Sequence, residues 1–298
     1  MTIVIGLAPN ERGAAAVHLG SMLARSLGDE VVVATVVPEP WPPNPSLPSD
    51  AEYVRLQEAA AEEALEMARG RIGPDLSVRL VVHQARSVSS GLLEVARKHQ
   101  ATLVSLGSSA GGVLGLVSLG GVAQRILHSA DIPVTLAPKG FDTGTTNAKV
   151  ARITVAFGRA DQDSDLLQSA ARVADDIGAA LRVACFAVRP PDSAVTPMAT
   201  AAEDLVVHRW SSYIEGEIAR AFGSTGAGSV ATRVQTVVGQ GISWAEALAD
   251  VSWVDQEILA VGTSSSAISR FFLGSHASKI VRSAPVPVLL MPRGVANP

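Results

Sequence analysis

Two stretches of small and hydroxyl-bearing residues are the best candidates for chemistry in this chain. One runs from Gly107-Ser108-Ser109-Ala110 to Gly120-Gly121-Val122, the other from Gly262-Thr263-Ser264-Ser265 to Gly274-Ser275-His276. Each leaves an apolar run and ends where an amphipathic stretch begins. A loop of this kind lets backbone approach an anion, because glycine has no Cβ. The first turn of the following helix then offers unpaired N–H groups to phosphate oxygens. The candidate contacts are Gly107, Ser108, Ala110, Gly120, Gly121 and Val122 in the first stretch. In the second they are Gly262, Thr263, Ser265, Gly274, Ser275 and His276. A glycine-rich loop also arises where a turn merely needs left-handed backbone, so residue types alone leave both readings open.

The remaining reactive residues point to no catalysis. The six histidines, His18, His83, His99, His128, His208 and His276, include no pair at metal-ligand spacing, and only His276 faces the presumed site. Its counterpart in the first stretch is Val122, so the two sites differ chemically. Cys185, mid-strand in Val183-Ala184-Cys185-Phe186, reads as a buried small hydrophobe. Ser264-Ser265-Ser266 lies in no Gly-x-Ser-x-Gly elbow and has no companion His–Asp arrangement. Asp161, Asp163 and Asp165 resemble an acidic helix start more than a calcium loop, whose turn glycine and closing glutamate are missing. Glu58, Glu62, Glu63 and Glu66 with Arg55 and Arg69 form the solvated face of a helix. Among Trp210, Trp244 and Trp253, only Trp244, which follows a strand, is placed to stack on a ligand. No catalytic residue, metal ligand or required cofactor emerges.

Composition bounds the rest. The 298 residues are 47% hydrophobic and 17% charged, enough apolar material for two domains and too much for disorder. The net charge of −4 gives no bulk attraction to nucleic acid or to an anionic membrane surface. A single cysteine cannot form an internal disulfide, which agrees with a reducing compartment. With no signal-peptide pattern after Met1 and no apolar run of spanning length, the expectation is a cytoplasmic protein.

The elements that must position the two loops come from a duplication. Ile126-Leu127-His128-Ser129-Ala130-Asp131-Ile132-Pro133-Val134 matches Ile280-Val281-Arg282-Ser283-Ala284-Pro285-Val286-Pro287-Val288, and both copies continue to Pro-basic-Gly, at Pro138-Lys139-Gly140 and Pro292-Arg293-Gly294. Leu103–Ser109 matches Ile258–Ser264, and Thr2–Gly6 matches Arg152–Ala156. The domains are thus expected at 1–140 and 149–298, joined by the small polar linker Phe141–Ala148. In the first copy, Ile3–Leu7, Val31–Val37, Ser77–Val82, Thr102–Gly107 and Ile132–Ala137 are nearly continuous in Val, Ile and Leu, the pattern of strands buried on both faces. Ala14–Ser26, Ala51–Arg69, Ser89–Lys98 and Gly121–Ser129 read as helices. In the second copy Val206, Trp210, Tyr213, Ile214, Ile218 and Phe222 mark one helical face. Strand–helix alternation implies an α/β fold, an open parallel sheet with helices on both faces. The proline-bearing stretches Pro38–Ser49 and Arg189–Thr200 read as loops, Pro38–Ser49 with its five further prolines not as helix. In such a sheet ligands sit beyond the carboxyl ends of the strands, where both Gly-containing loops begin.

Two copies of about 140 residues, each with a small-residue loop after its fourth strand and a Ser-Ala-x-x-Pro-Val ending, resemble a tandem universal stress protein. The resemblance covers nearly the whole chain. It implies two tandem doubly wound, five-stranded Rossmann-like sheets with strand order 3-2-1-4-5. Many members of that family bind ATP through Gly-x2-Gly-x9-Gly-(Ser/Thr), with an Asp at the end of strand one near the adenosine; others lack the motif and do not bind nucleotide. Here the first copy keeps Gly107 and Gly120 at that spacing, but Ala110 replaces the second glycine and Gly121 the hydroxyl residue. The second keeps Gly262, Gly274 and Ser275, but has Ser265 at the second glycine and a loop one residue shorter. Ala8 and Gly158 stand where the family has Asp.

The resemblance therefore implies a regulatory, stress-response binding protein with weak or lost ATP binding. The alternative is a nucleotide-dependent switch that binds ATP or another adenine nucleotide and hydrolyses it weakly or not at all. A protein partner is expected, its identity unknown. Single-domain relatives often dimerise through strand five, whose outer edge is unpaired, and Ile132–Ala137 and Val286–Met291 carry no charge to deter pairing. The two halves are expected to pair through these strands within one chain, with a higher homo-oligomer also open.

Overall fold

The computed structural model describes residues 1–8, 13–39, 48–158, 160–188, 209, 212–213, 216, 234–266 and 269–291. The first half runs β1 (Thr2–Gly6), α1 (Ala14–Leu27), β2 (Glu30–Pro38), α2 (Pro48–Arg71), β3 (Val78–Ala85), α3 (Val88–Lys98), β4 (Leu103–Gly107), α4 (Gly121–Ser129) and β5 (Val134–Ala137). The second runs β6 (Arg152–Ala156), α5 (Ala160–Ile177), β7 (Ala180–Val188), β8 (Gln235–Gly241), α6 (Trp244–Ala249), β9 (Glu257–Gly262), β10 (Ser264–Ser266), β11 (Ser269–Phe272), α7 (Ser275–Ser283) and β12 (Val288–Met291). The helical face from Val206 to Phe222 and the stretch Arg189–Thr200 fall outside the described residues, apart from isolated positions such as Tyr213.

The continuous Val/Ile/Leu runs make strands because both faces of the sheet are covered. Alternate side chains of a strand point to opposite faces. Ile3 and Ile5 accordingly join a core under α1, α2 and α5, while Val4 joins one under α3, α4, α6 and α7. At β2, Val31 and Val33 go one way and Val32 and Ala34 the other. All neighbours within each half are parallel, in the orders β3-β2-β1-β4-β5 and β8-β7-β6-β9-β12.

The two halves form one ten-stranded sheet among the described residues, with β5 beside β12. This junction is antiparallel, with Val288 opposite Leu136, Leu289 opposite Thr135 and Leu290 opposite Val134. Pro133 and Pro287 precede their strands and cannot donate, but their carbonyls accept from Val104 N (3.1 Å) and Leu259 N (2.8 Å). The segment Phe141–Ala148 is packed down on α1. Thr143 Oγ1 lies 3.4 Å from His18 Nδ1, and just beyond the segment Val150 N donates to Ser26 Oγ at 2.8 Å.

One reading of the chain needs correction. Pro38–Ser49 is not loop throughout: Pro38 closes β2, while Pro48 and Ser49 open α2. Proline is tolerated in the first turn of a helix, where its missing N–H would have had no partner. Residues 40–47 lie outside the described residues.

An ion cluster sits at the amino ends of the second half's strands. Glu257, 1% exposed, accepts from Arg152 Nη2 (2.6 Å), Arg182 Nη2 (2.6 Å), Val254 N (2.9 Å) and Thr154 Oγ1. Both guanidiniums also donate to Ser252 O, at 3.0 and 2.9 Å, and Arg182 lies 5.1 Å from the centre of the Trp253 ring. Burial pushes the Arg182 guanidinium below its ordinary pKa and Arg152 beside it adds to the push, while Glu257 opposes both.

Candidate functional site

Both candidate loops emerge at the carboxyl ends of central strands, as an open parallel sheet requires of its ligand sites. In the first half β4 ends at Gly107, and the loop folds back on itself before α4. Ser108 Oγ donates to Ala137 O at 2.7 Å and accepts from Ser118 N at 2.9 Å. Ser109 N donates to Ser118 O at 3.0 Å, and the two hydroxyls meet at 2.7 Å. Lys139, just past β5, completes the closure. Its backbone accepts from Gly115 N at 2.9 Å, and its Nζ donates to Ala110 O (3.2 Å) and Gly112 O (2.9 Å).

Glycine is needed at three points of this loop, and at Gly112 a Cβ would stand 2.6 Å from that of Ser118. Gly115 has φ +80°, a left-handed conformation that side chains resist. At Gly120 a Cβ would stand 2.9 Å from that of Ser109. Ala110 has no positive φ, so it carries none of the strain a side chain in a left-handed turn would bring. Gly120 caps α4 with no side-chain hydrogen bond. Gly121 is exposed, and Val122 packs against the core under α4.

The second half builds the corresponding place differently. Gly262 ends β9, and Thr263 turns inward, fully buried, with its N and Oγ1 both donating to Met291 O at 3.1 and 3.2 Å. Ser265 lies in the short hairpin of β10 and β11, where Ser264 pairs with Phe272 and Ser266 with Ser269. Gly274 caps α7, again without a side-chain bond, and Ser275 and His276 open the helix. The His276 ring lies 5.4 Å from that of Trp244 at the start of α6, tilted by 37°. Val88 and Val122 hold the equivalent positions in the first half, both packed on the core.

The ends of the first strands carry no acid. Leu7 N and Phe157 N still bond Ala34 O and Ala184 O, both at 2.9 Å, and the exposed residues that follow are Ala8 and Gly158. Among the described residues no group of three His, Cys, Asp or Glu side chains could hold a metal ion, and no helix is long and apolar enough to cross a membrane.

The predicted contacts of the two loops do not converge on one shared site. Gly107, Ser108, Ala110, Gly120 and Gly121 belong to the closed loop of the first half, whereas Thr263 and Ser265 are absorbed into strand pairing in the second. Residue types at the loops alone do not point to Ser109, Ser118 and Lys139. The one signal for Lys139 is its place in the repeated Pro-basic-Gly ending. The loops also reach across the junction of the halves. Val117 N donates to Ala284 O at the end of α7 (3.3 Å), and β11 packs beside α4.

The family model described as the universal stress protein family matches residues 1–138 and again residues 149–292. The chain belongs to the universal stress protein family. A universal stress protein of Mycobacterium tuberculosis and one of Mycobacterium bovis are each 35% identical to it over 298 residues, covering 98% of this chain and all of the relative. Among solved structures, a universal stress protein from Archaeoglobus fulgidus superposes over 98% of both chains with a TM-score of 0.61 at 15% identity. Another described as a universal stress protein, from Pseudomonas aeruginosa, covers 97% of this chain and 92% of its own, with a TM-score of 0.56 at 13% identity. At such identities these two structures speak for the fold, which is the tandem α/β arrangement of universal stress proteins.

Proposed function

We propose that this universal stress protein is a regulatory binding protein with no chemistry of its own, in which ATP binding has become weak or has been lost. The observation that carries this reading is the closure of the first loop. The hydroxyls of Ser108 and Ser109 and the ammonium of Lys139, the groups best suited to phosphate oxygens, are spent on one another and on loop carbonyls. The missing acid at Ala8 and Gly158 removes a charge-assisted hydrogen bond of about 1.5–3 kcal/mol. Reopening the loop costs further bonds of about 0.5–1.5 kcal/mol each. A total of roughly 3–5 kcal/mol is two to three decades of affinity or more, which turns a micromolar site into a millimolar one.

A residual site, in this reading, lies in the first half. The start of α4 has no capping side chain and an open Gly121, which leaves its N–H groups to a ligand, whereas the second loop is committed to a hairpin. The same feature favours the second reading, a nucleotide-dependent switch. Isothermal titration of the full chain with ATP, ADP, AMP and cyclic AMP at near-physiological salt separates the two. Weak or absent heats are expected, and a micromolar dissociation constant for ATP would overturn the reading. Any weak binding should vanish when Gly107 and Gly120 are replaced by bulky residues.

A further inference from the structure

We propose a second, anion-binding site in the cleft between α3 and α4, built to take the phosphoryl group of a small phosphate monoester. It adjoins the first glycine-rich loop, with Arg125 Nη2 3.6 Å from where a Cβ on Gly121 would stand, but does not depend on the function proposed for that loop. The cleft has a volume of about 270 Å³, floored by Leu93 and lined by Ser89, Ser90, Arg97, Arg125 and Ser129, with Glu94 on one wall. The Ser90 hydroxyl donates to Ser87 O at 3.0 Å and that of Ser89 lies 3.2 Å from Ser87 Oγ, so the donors left to the cleft are the two guanidiniums and the Ser129 hydroxyl, a set that suits a phosphoryl dianion through forked N–H hydrogen bonds. Among the described residues, neither the Arg97 nor the Arg125 guanidinium makes an ion pair or hydrogen bond. The one carboxylate, Glu94, is engaged by His83 Nε2 at 2.8 Å. The volume lies just below the usual range for small-molecule sites, about 300–1,000 Å³, which suits a monoester and not a nucleoside triphosphate.

The duplication supplies a control. The register of the two copies places Glu246 at the position of Ser90 and Lys279 at that of Arg125, while α6 ends at Ala249 and has no turn to match the one that carries Arg97. In the second half Glu246 closes a capping box with Ser243, donating its N–H to Ser243 Oγ and accepting at Oε1 from that hydroxyl, both at 3.2 Å. A carboxylate there repels an anion. The first half keeps the same cap with a neutral residue, Ser90 N donating to Ser87 Oγ at 3.2 Å, and leaves the cleft positive. The two halves have diverged at the positions that would decide whether an anion binds.

The experiment titrates the full chain with phenyl phosphate, followed by calorimetry and by the arginine Nε–H resonances, with benzyl alcohol as the uncharged control. Saturable binding that shifts Arg97 and Arg125 is expected, with no response to benzyl alcohol. Affinity should fall at least about tenfold in R97A/R125A and in S90E. S90E borrows the cap of the second half, so loss of binding in that variant is not loss of fold, and a preserved circular dichroism spectrum checks this. Vesicles of phosphatidylcholine containing phosphatidic acid, which present a monoester on a surface, should not displace the probe. Absence of saturable binding would overturn the proposal. So would binding that survives both cleft variants, or that the vesicles compete away.

Discussion

Replacing Glu257 by alanine removes the one carboxylate shared by two guanidiniums, that of buried Arg182 and that of half-buried Arg152. In the folded chain its carboxylate takes hydrogen bonds from Arg152, Arg182, Thr154 and the Val254 N–H, and the surface around it is closed, with Arg182 5% and Thr154 0% exposed. Summing four such bonds would overstate the effect, because Ser252 O still accepts from both arginines and Trp253 still covers Arg182. The governing cost is a pair of like charges left buried without a counter-ion, about 3–5 kcal/mol. That is a large part of an ordinary domain stability of about 5–15 kcal/mol. The first half shows that the fold does not require the ions. In register, Thr2, Val4, Val32 and Thr102 stand where the second half has Arg152, Thr154, Arg182 and Glu257. A triple variant with Arg152→Met, Arg182→Met and Glu257→Leu, which keeps the volume while removing every charge, should therefore recover wild-type stability or exceed it by about 1–4 kcal/mol. Urea unfolding monitored by far-ultraviolet circular dichroism is the assay, since urea, unlike guanidinium, adds no salt to screen the pair. A Glu257→Ala cost under about 1 kcal/mol, or a triple variant as unstable as the single one, would show that the cluster is not a buried counter-ion problem at all.

Two further outcomes follow from the same structure. Arg25 holds the Asp75 carboxylate by a 2.7 Å bond and pulls its pKa below the ordinary value, so the pair stabilises the fold above the unfolded-state pKa and ceases to do so as pH falls through the folded-state pKa. With Asp75 45% exposed, Asp75→Asn should cost no more than about 1 kcal/mol at neutral pH, and a deficit that persists in acid would contradict the ion-pair reading. Residues 1–140 or 149–298 expressed alone should dimerise or aggregate through the bared edge of β5 or β12, as sedimentation would show. Two soluble, monomeric halves that ignore each other on mixing would refute this.

The parts of the fold legible in the sequence are those written in local pattern. Ile3, Val4 and Ile5 form an unbroken apolar run because the sheet is covered on both faces, and the recurrence of Ser-Ala-x-x-Pro-Val identified the duplication. Misreadings came where a residue type acts differently by position. Pro48 counted against a helix that it in fact opens. The side chains that close the first loop were not legible, because Lys139 reaches Ala110 and Gly112 only once β5 is laid beside β4. The partners of Glu257 are equally distant: Arg152 lies 105 residues away, and only strand register brings it near.

The divergence of the two copies suggests what the tandem arrangement permits. A homodimer of one domain must carry the same residues on both sides of its junction, whereas this chain has altered each side separately. It holds Val88 and Val122 on one side where Trp244 and His276 meet on the other, Ser90 where it has Glu246, and the uncharged Val32 and Thr102 where it has Arg182 and Glu257. The contacts across the junction are nonetheless reciprocal. The first loop bonds the end of α7 through Val117, and the second half's hairpin lies along α4. A ligand or partner that moved either loop would press on a helix belonging to the other half. Two chemically different surfaces are thereby joined by one continuous sheet and one continuous core.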